Sequence, residues 1–302
     1  STFKPTQGLI LLQEGIISLQ TTYPCYRGYI NGGLRVGCHG HGSPLPLKPA
    51  LQTSCNGYFC WGLKNMLDNR RSKYGSAANA FETWKKHLVS MGYGYKLGVD
   101  LPSESRGFIP NAQYYDKIYG ANRWSANTII SIAIGQGEIL ATPLQIANLC
   151  ATVANRGWFI TPHVVKEVQD TVLESQYLEK RYPTIDREHY DAVAEGMRMA
   201  VTGGTCRLAA LPDIEVCGKT GTAQNPHGKD HSAFIGFAPY NDPKIAICVY
   251  VQNAGFGATY GVPIGSLVME KYLKGEISPQ RKYLEERMLT SNTIINSGVK
   301  KH

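Results

Sequence analysis

Hydrophobic and polar positions follow a helical period through the first two thirds of the chain and a strand-like one after it. Residues 3–20 (FKPTQGLILLQEGIISLQ) are mostly apolar and read as helical after Pro5. Residues 21–47 carry Gly, Tyr, Cys and His without a period and read as irregular. In KPALQTSCNGYFCWGLKNML, Leu51, Phe59 and Leu63 line a buried side around a short loop. From Ala80 to Met91, the residues Phe81, Trp84, Leu88 and Met91 fall at helical spacing, and Gly92 stops that helix. Residues 92–125, rich in Gly, Pro and Tyr, predict a long ordered loop.

Thr142 before Pro143 is a helix start, with Leu144, Ala147, Cys150, Val153 and Ala154 on the helix. A further helix spans about Arg187 to Val201, with Tyr190, Val193, Ala194, Met197 and Val201 as its buried stripe. EVCGKTGTAQ, SAFIGFAP and KIAICVYVQ then read as strands, and PIGSLVMEKYLKG as a closing helix. This order predicts an α+β domain, a mostly antiparallel sheet covered by helices. Residues 1–277 form one domain, and the polar tail 278–302 is expected to be weakly ordered.

The chain has 302 residues and a net charge of +8, with basic residues scattered along it. Such a balance suits an anionic surface, yet no helix-turn-helix, zinc finger or RNA-binding sheet pattern is present, so nucleic acid is not the expected partner. No run approaches the roughly 18 apolar residues of a membrane span. Of the eight cysteines, Cys150, Cys206, Cys217 and Cys248 lie in or beside apolar stretches as expected of buried free thiols.

Three short motifs carry chemistry. Ser1 and Lys4, at i and i+3, share a helical face. A lysine buried or crowded by cations loses its proton more readily and becomes a base for the hydroxyl. Ser54-Cys55-Asn56 supplies a hydroxyl that relays a proton and an amide that positions a substrate. Lys219-Thr220-Gly221-Thr222 supplies a cation and two hydroxyls for a carboxylate, with Gly221 leaving room for substrate. A phosphate-binding loop is excluded, because Asp213 stands where its first glycine would be.

The set S-x-x-K, S-x-N, K-T-G in this order resembles the penicillin-binding proteins and serine β-lactamases. The segments GHGSPLPLKPALQTSCNGYF, GVDLPSESRGFIPN, IGQGEILATPLQIANLCATVANRG and GKTGTAQNPHGKDHSAFIGFAPY narrow the resemblance to the transpeptidase domain of class B members, nearest the penicillin-binding protein 2 group, over about residues 1–275. It implies Ser1 as nucleophile, Lys4 as base, Ser54 as relay, Asn56 as positioner and Lys219 as electrostatic support. Thr220 and Thr222 would bind the substrate carboxylate, and the N–H groups of Ser1 and Thr222 would form the oxyanion hole.

The activity implied is crosslinking of peptidoglycan stem peptides through a serine acyl-enzyme, with β-lactams acylating the same serine and no organic cofactor. A noncatalytic β-lactam sensor, or a hydrolytic carboxypeptidase or β-lactamase, is the alternative. An amine-driven amino-terminal nucleophile would leave the later motifs idle. The resemblance further implies a catalytic domain outside the cytoplasmic membrane, an anchor and pedestal lying before Ser1, and a membrane glycan polymerase of the elongation machinery as partner.

Cys25, Cys38, His39, His41 and Cys55 gather between the first two motifs, and three thiolates with one imidazole make a tetrahedral zinc set. Some members of the resembled group hold a structural metal in the corresponding insertion. The favoured ligands are Cys25, Cys38, His41 and Cys55, since His41-Gly42 matches a histidine-glycine pair of that group; His39 is the rival. A disulfide or unlinked thiols remain the other readings. Such a zinc would be structural, its four ligands leaving no place for activated water.

Overall fold

The computed structural model of the chain describes residues 1–68 and 73–294. Its elements begin with α1 (Lys4–Gln13), β1 (Gly28–Asn31), β2 (Leu34–Gly37), α2 (Leu47–Gln52), α3 (Asn56–Leu67), α4 (Ala77–Ser90) and α5 (Ala112–Tyr119). There follow α6 (Pro143–Ala154), α7 (Arg187–Gly203), β3 (Cys217–Ala223), β4 (His231–Ala238), β5 (Ile245–Val251), α8 (Gly261–Lys274) and α9 (Lys282–Thr290).

Helix α1 runs through the interior, and Lys4 to Leu12 are all buried. A helix covered around its whole circumference must satisfy its polar side chains internally. Gln7 does so in part: its Oε1 accepts a hydrogen bond from Trp84 Nε1 (2.7 Å), while its buried Nε2 has no partner among the described residues. Around α1 pack α2, α3, α4 and α7. Beyond them β3, β4 and β5 form an antiparallel sheet in that order, with Lys219 opposite Ile235 and Gly221 opposite Ala233. Both α6 and α8 pack against β4 and β5, and α7 packs against β3. The Phe234 ring holds α8 to the sheet, because side chains on Gly218, Gly236 or Gly265 would come within 2.4–2.6 Å of it. The expected α+β architecture is thus the one observed.

Local expectations differ in four places. The first helix ends at Gln13, and Gly15 (φ +66°) turns the chain away. Residues 21–47 contain the β1–β2 hairpin, paired from Gly28–Gly37 to Asn31–Leu34. Within 92–125, α5 is started by Asn111, whose side chain accepts from Tyr114 N–H (2.8 Å). The expected weak order of 278–302 is corrected for its first part. There α9 buries Leu284, and Arg281 donates to the fully buried Glu270 carboxylate at 2.8 Å. The pair explains the order, since a buried carboxylate is tolerated only with a partner. Residues 295–302 of that tail lie outside the described residues. No helix among the described residues is long and apolar enough to cross a membrane.

Candidate active site

Ser1 lies on the turn that feeds α1, and its carbonyl accepts the Lys4 backbone N–H (3.2 Å). The one-turn spacing of the motif therefore survives, although Ser1 itself precedes the helix. Pro5 fits this first turn because its missing N–H needs no partner there.

Ser54 closes the turn between α2 and α3. Its N–H bonds Leu51 O, the next N–H bonds Ala50 O, and its φ is +57°. This left-handed position after a helix usually belongs to glycine. A non-glycine residue there carries strain, as functional positions often do. The return is placement: Ser54 Oγ accepts from Lys4 Nζ at 3.0 Å and from Lys219 Nζ at 2.7 Å. With both lone pairs engaged, the Ser54 hydroxyl hydrogen is left for a third group.

Lys4 Nζ also donates to Ser54 O (2.7 Å) and Asn56 Oδ1 (2.6 Å), and Lys219 Nζ to Thr220 O (3.1 Å). Neither lysine is exposed. Burial drives the Lys4 amine down from 10.5 to about 8, against an opposing pull from nearby sulfurs, Cys38 foremost. Burial and then the Lys4 charge press Lys219 well below the ordinary lysine value.

A cleft of about 490 Å³ opens above this floor, lined by Ser1, Ser54, Asn56, Thr220 and Thr222. All three motifs therefore meet, with Lys4 and Lys219 beneath. Gly221 serves a close approach: a Cβ there would sit 2.9 Å from Thr2 Cγ2, so its absence lets β3 close on the turn carrying Ser1. Thr222 Oγ1 accepts Gly257 N–H (3.2 Å), tying β3 to the loop before α8.

The motif reading missed Thr205. It lines the same cleft, and its hydroxyl accepts from Thr220 Oγ1 at 2.9 Å, making a third hydroxyl beside the pair. Gln136 also lines the cleft, as do His39 and Asp230. His231 opens β4, its Nδ1 accepting Asn253 N–H (3.0 Å).

Beside the Ser54 turn, the ligand atoms of Cys25, Cys38, His41 and Cys55 lie within 4.8 Å of one another. Four ligands at zinc distances would stand about 3.8 Å apart, so this set fits with a small contraction. His41 Nδ1 bonds Gly42 O (2.7 Å), which leaves Nε2 facing Cys38 Sγ at 3.3 Å. His39 instead directs its Nε2 at Thr53 O. Two sulfurs also cap α3: Cys38 Sγ accepts Asn56 N–H and Cys55 Sγ accepts Tyr58 N–H, both at 3.3 Å. All eight cysteines are free.

A family model described as the penicillin binding protein transpeptidase domain matches residues 1–270. This chain belongs to that family. Its curated relatives include peptidoglycan D,D-transpeptidase MrdA of Haemophilus influenzae, 31% identical over 94% of this chain and 45% of the relative. Stage V sporulation protein D of Bacillus subtilis is 28% identical over 97% of the chain and again 45% of the relative. The chain thus spans about half the length of these relatives. Among solved structures, Pseudomonas aeruginosa PBP2 in complex with WCK 5153 aligns with a TM-score of 0.76 at 27% identity, over 93% of this chain and 60% of that one. The Helicobacter pylori complex of PBP2 with MreC aligns at 0.74 and 27%, over 91% and 49%.

Proposed function

We propose that this chain is the catalytic domain of a peptidoglycan D,D-transpeptidase. The observation that carries the reading is the Ser54 hydroxyl shared by two buried lysines at the floor of a cleft lined by Ser1. Neutral Lys4 takes the Ser1 proton as Oγ attacks the carbonyl between two terminal D-alanines. Ser54 passes a proton to the departing amine, and D-alanine leaves. A stem-peptide amine then attacks the acyl-enzyme and returns Ser1 to its hydroxyl form. Thr220, Thr222 and Thr205 receive the terminal carboxylate, Lys219 adds positive potential, and Asn56 exchanges its bond to Lys4 for one to the substrate amide.

β-Lactams acylate Ser1 by the same route. Cys25, Cys38, His41 and Cys55 hold a structural zinc, which when bound fixes the relay turn to the β1–β2 hairpin. The full protein works on the outer face of the cytoplasmic membrane beside a glycan polymerase. The metal assignment draws on the four-residue cluster, and the activity on the named relatives.

Intact-mass analysis after adding benzylpenicillin tests the nucleophile, with the adduct mapped to the Ser1 peptide. A D-alanyl-D-alanine stem peptide offered with an acceptor amine then tests transfer. Crosslinked product is expected; release of free acid alone would replace the transpeptidase reading with a hydrolase.

A further inference from the structure

Cys38 and Cys55 differ from the other close thiols in what their movement would disturb. Cys55 is fully buried between Ser54 and Asn56, and its sulfur caps α3 through Tyr58 N–H. Cys38 is half-buried at the head of an exposed run that includes His39, Gly40, Gly42 and Ser43. Its sulfur accepts the N–H of Asn56. Cys25 is buried and packs closely on α3, where a Cβ on Gly57 would lie only 3.0 Å from its sulfur. One half-buried cysteine beside an exposed segment therefore has its sulfur within 4.8 Å of that of a fully buried cysteine inside the relay turn.

We propose that Cys38 and Cys55 form a thiol–disulfide latch on the relay turn, closed by an external disulfide and reopened by a thiol. The Cys38 sulfur attacks one sulfur of the external disulfide, forming a mixed disulfide and releasing one thiol. The Cys55 sulfur then attacks the Cys38 sulfur, forming the internal bond and releasing the second thiol. Two electrons leave the cysteine pair and reduce the external disulfide to two thiols; the two cysteine protons pass to those thiols. Closure removes two ligands from the metal set and withdraws both sulfurs from the N–H groups of Asn56 and Tyr58. Ser54 and Asn56 lose the backbone positions that let them meet Lys4. Metal bound at the four residues opposes closure by occupying both sulfurs, so the latch closes on the metal-free thiols and competes with the metal proposed above.

The full protein is first shown to take up benzylpenicillin; failure at that stage speaks against the proposed function and is read separately. It is then exposed to oxidised glutathione with and without prior chelation. The readouts are peptide mapping of linked cysteines, zinc release to a chromogenic chelator, and the acylation rate with a fluorescent penicillin. A Cys38–Cys55 peptide, faster linkage after chelation and acylation slowed about a hundredfold are expected, with recovery on reduction. Linkage through Cys25 instead, persistence of both thiols, or a linked protein acylating at its original rate overturns the latch.

Discussion

Two ammonium groups converge on one oxygen at Ser54; burial makes each easier to deprotonate, and the Lys4 charge lowers Lys219 further. With Lys4 at about 8, about a tenth of it is neutral at pH 7. Acylation by benzylpenicillin is therefore expected to rise with pH and level off above about 8, as a series of acylation rates would show. Lys4→Arg, which cannot deprotonate, loses at least about a hundredfold at every pH. The same burial bears on stability. Lys4 binds its proton more weakly folded than unfolded, so the penalty for holding a buried cation is fully present below about 8. It is relieved as pH rises toward 10.5. The stability of Lys4→Met relative to the unaltered chain should accordingly decline across that interval, by at most about 3 kcal/mol, in paired urea titrations. A gap that stayed constant would show that Lys4 is not buried as a cation.

At the scale of elements, α3 begins on a sulfur. Cys55→Ala removes the cap on Tyr58 N–H and, with both proteins stripped of metal, should cost about 1 kcal/mol in thermal unfolding. Chelation acts on the same turn: acylation should fall and return with added zinc, in step with one metal per chain by elemental analysis. The SCN and KTGT motifs were legible because their chemistry lies in consecutive residues. Thr205 was not, because its role exists only through the contact with Thr220 that β3 brings to it. The β1–β2 hairpin was missed for a related reason. Its strands are four residues each, too short for a period of two to stand out among Gly, Arg and Asn. Helix α5 is eight residues with two buried side chains, so its signal was the Asn111 cap and not a stripe.

For the whole molecule, the switch from helical to alternating periods revealed the fold class, while the tail misled because its order depends on a polar pair. Glu270 accepts from Arg281 Nε and Ser278 Oγ, and Arg281 also reaches Leu208 O, Ala210 O and Ser266 Oγ. Burial pushes the Glu270 carboxyl up, yet the Ser278 and Arg281 bonds outweigh it and hold the group below the usual value. Arg281→Met should destabilise by about 3–5 kcal/mol, because it strands a buried carboxylate. Adding Glu270→Gln should return part of that loss in a double-mutant cycle, and strictly additive losses would deny the coupling. Glu270 is also the last residue of the span the family model matches. A recombinant fragment trimmed to that boundary would end on this carboxylate and leave Arg281 behind. Its poor yield or ready aggregation would then reflect where it was cut, and a screen for inhibitors run on it would be sampling a molecule with an opened flank.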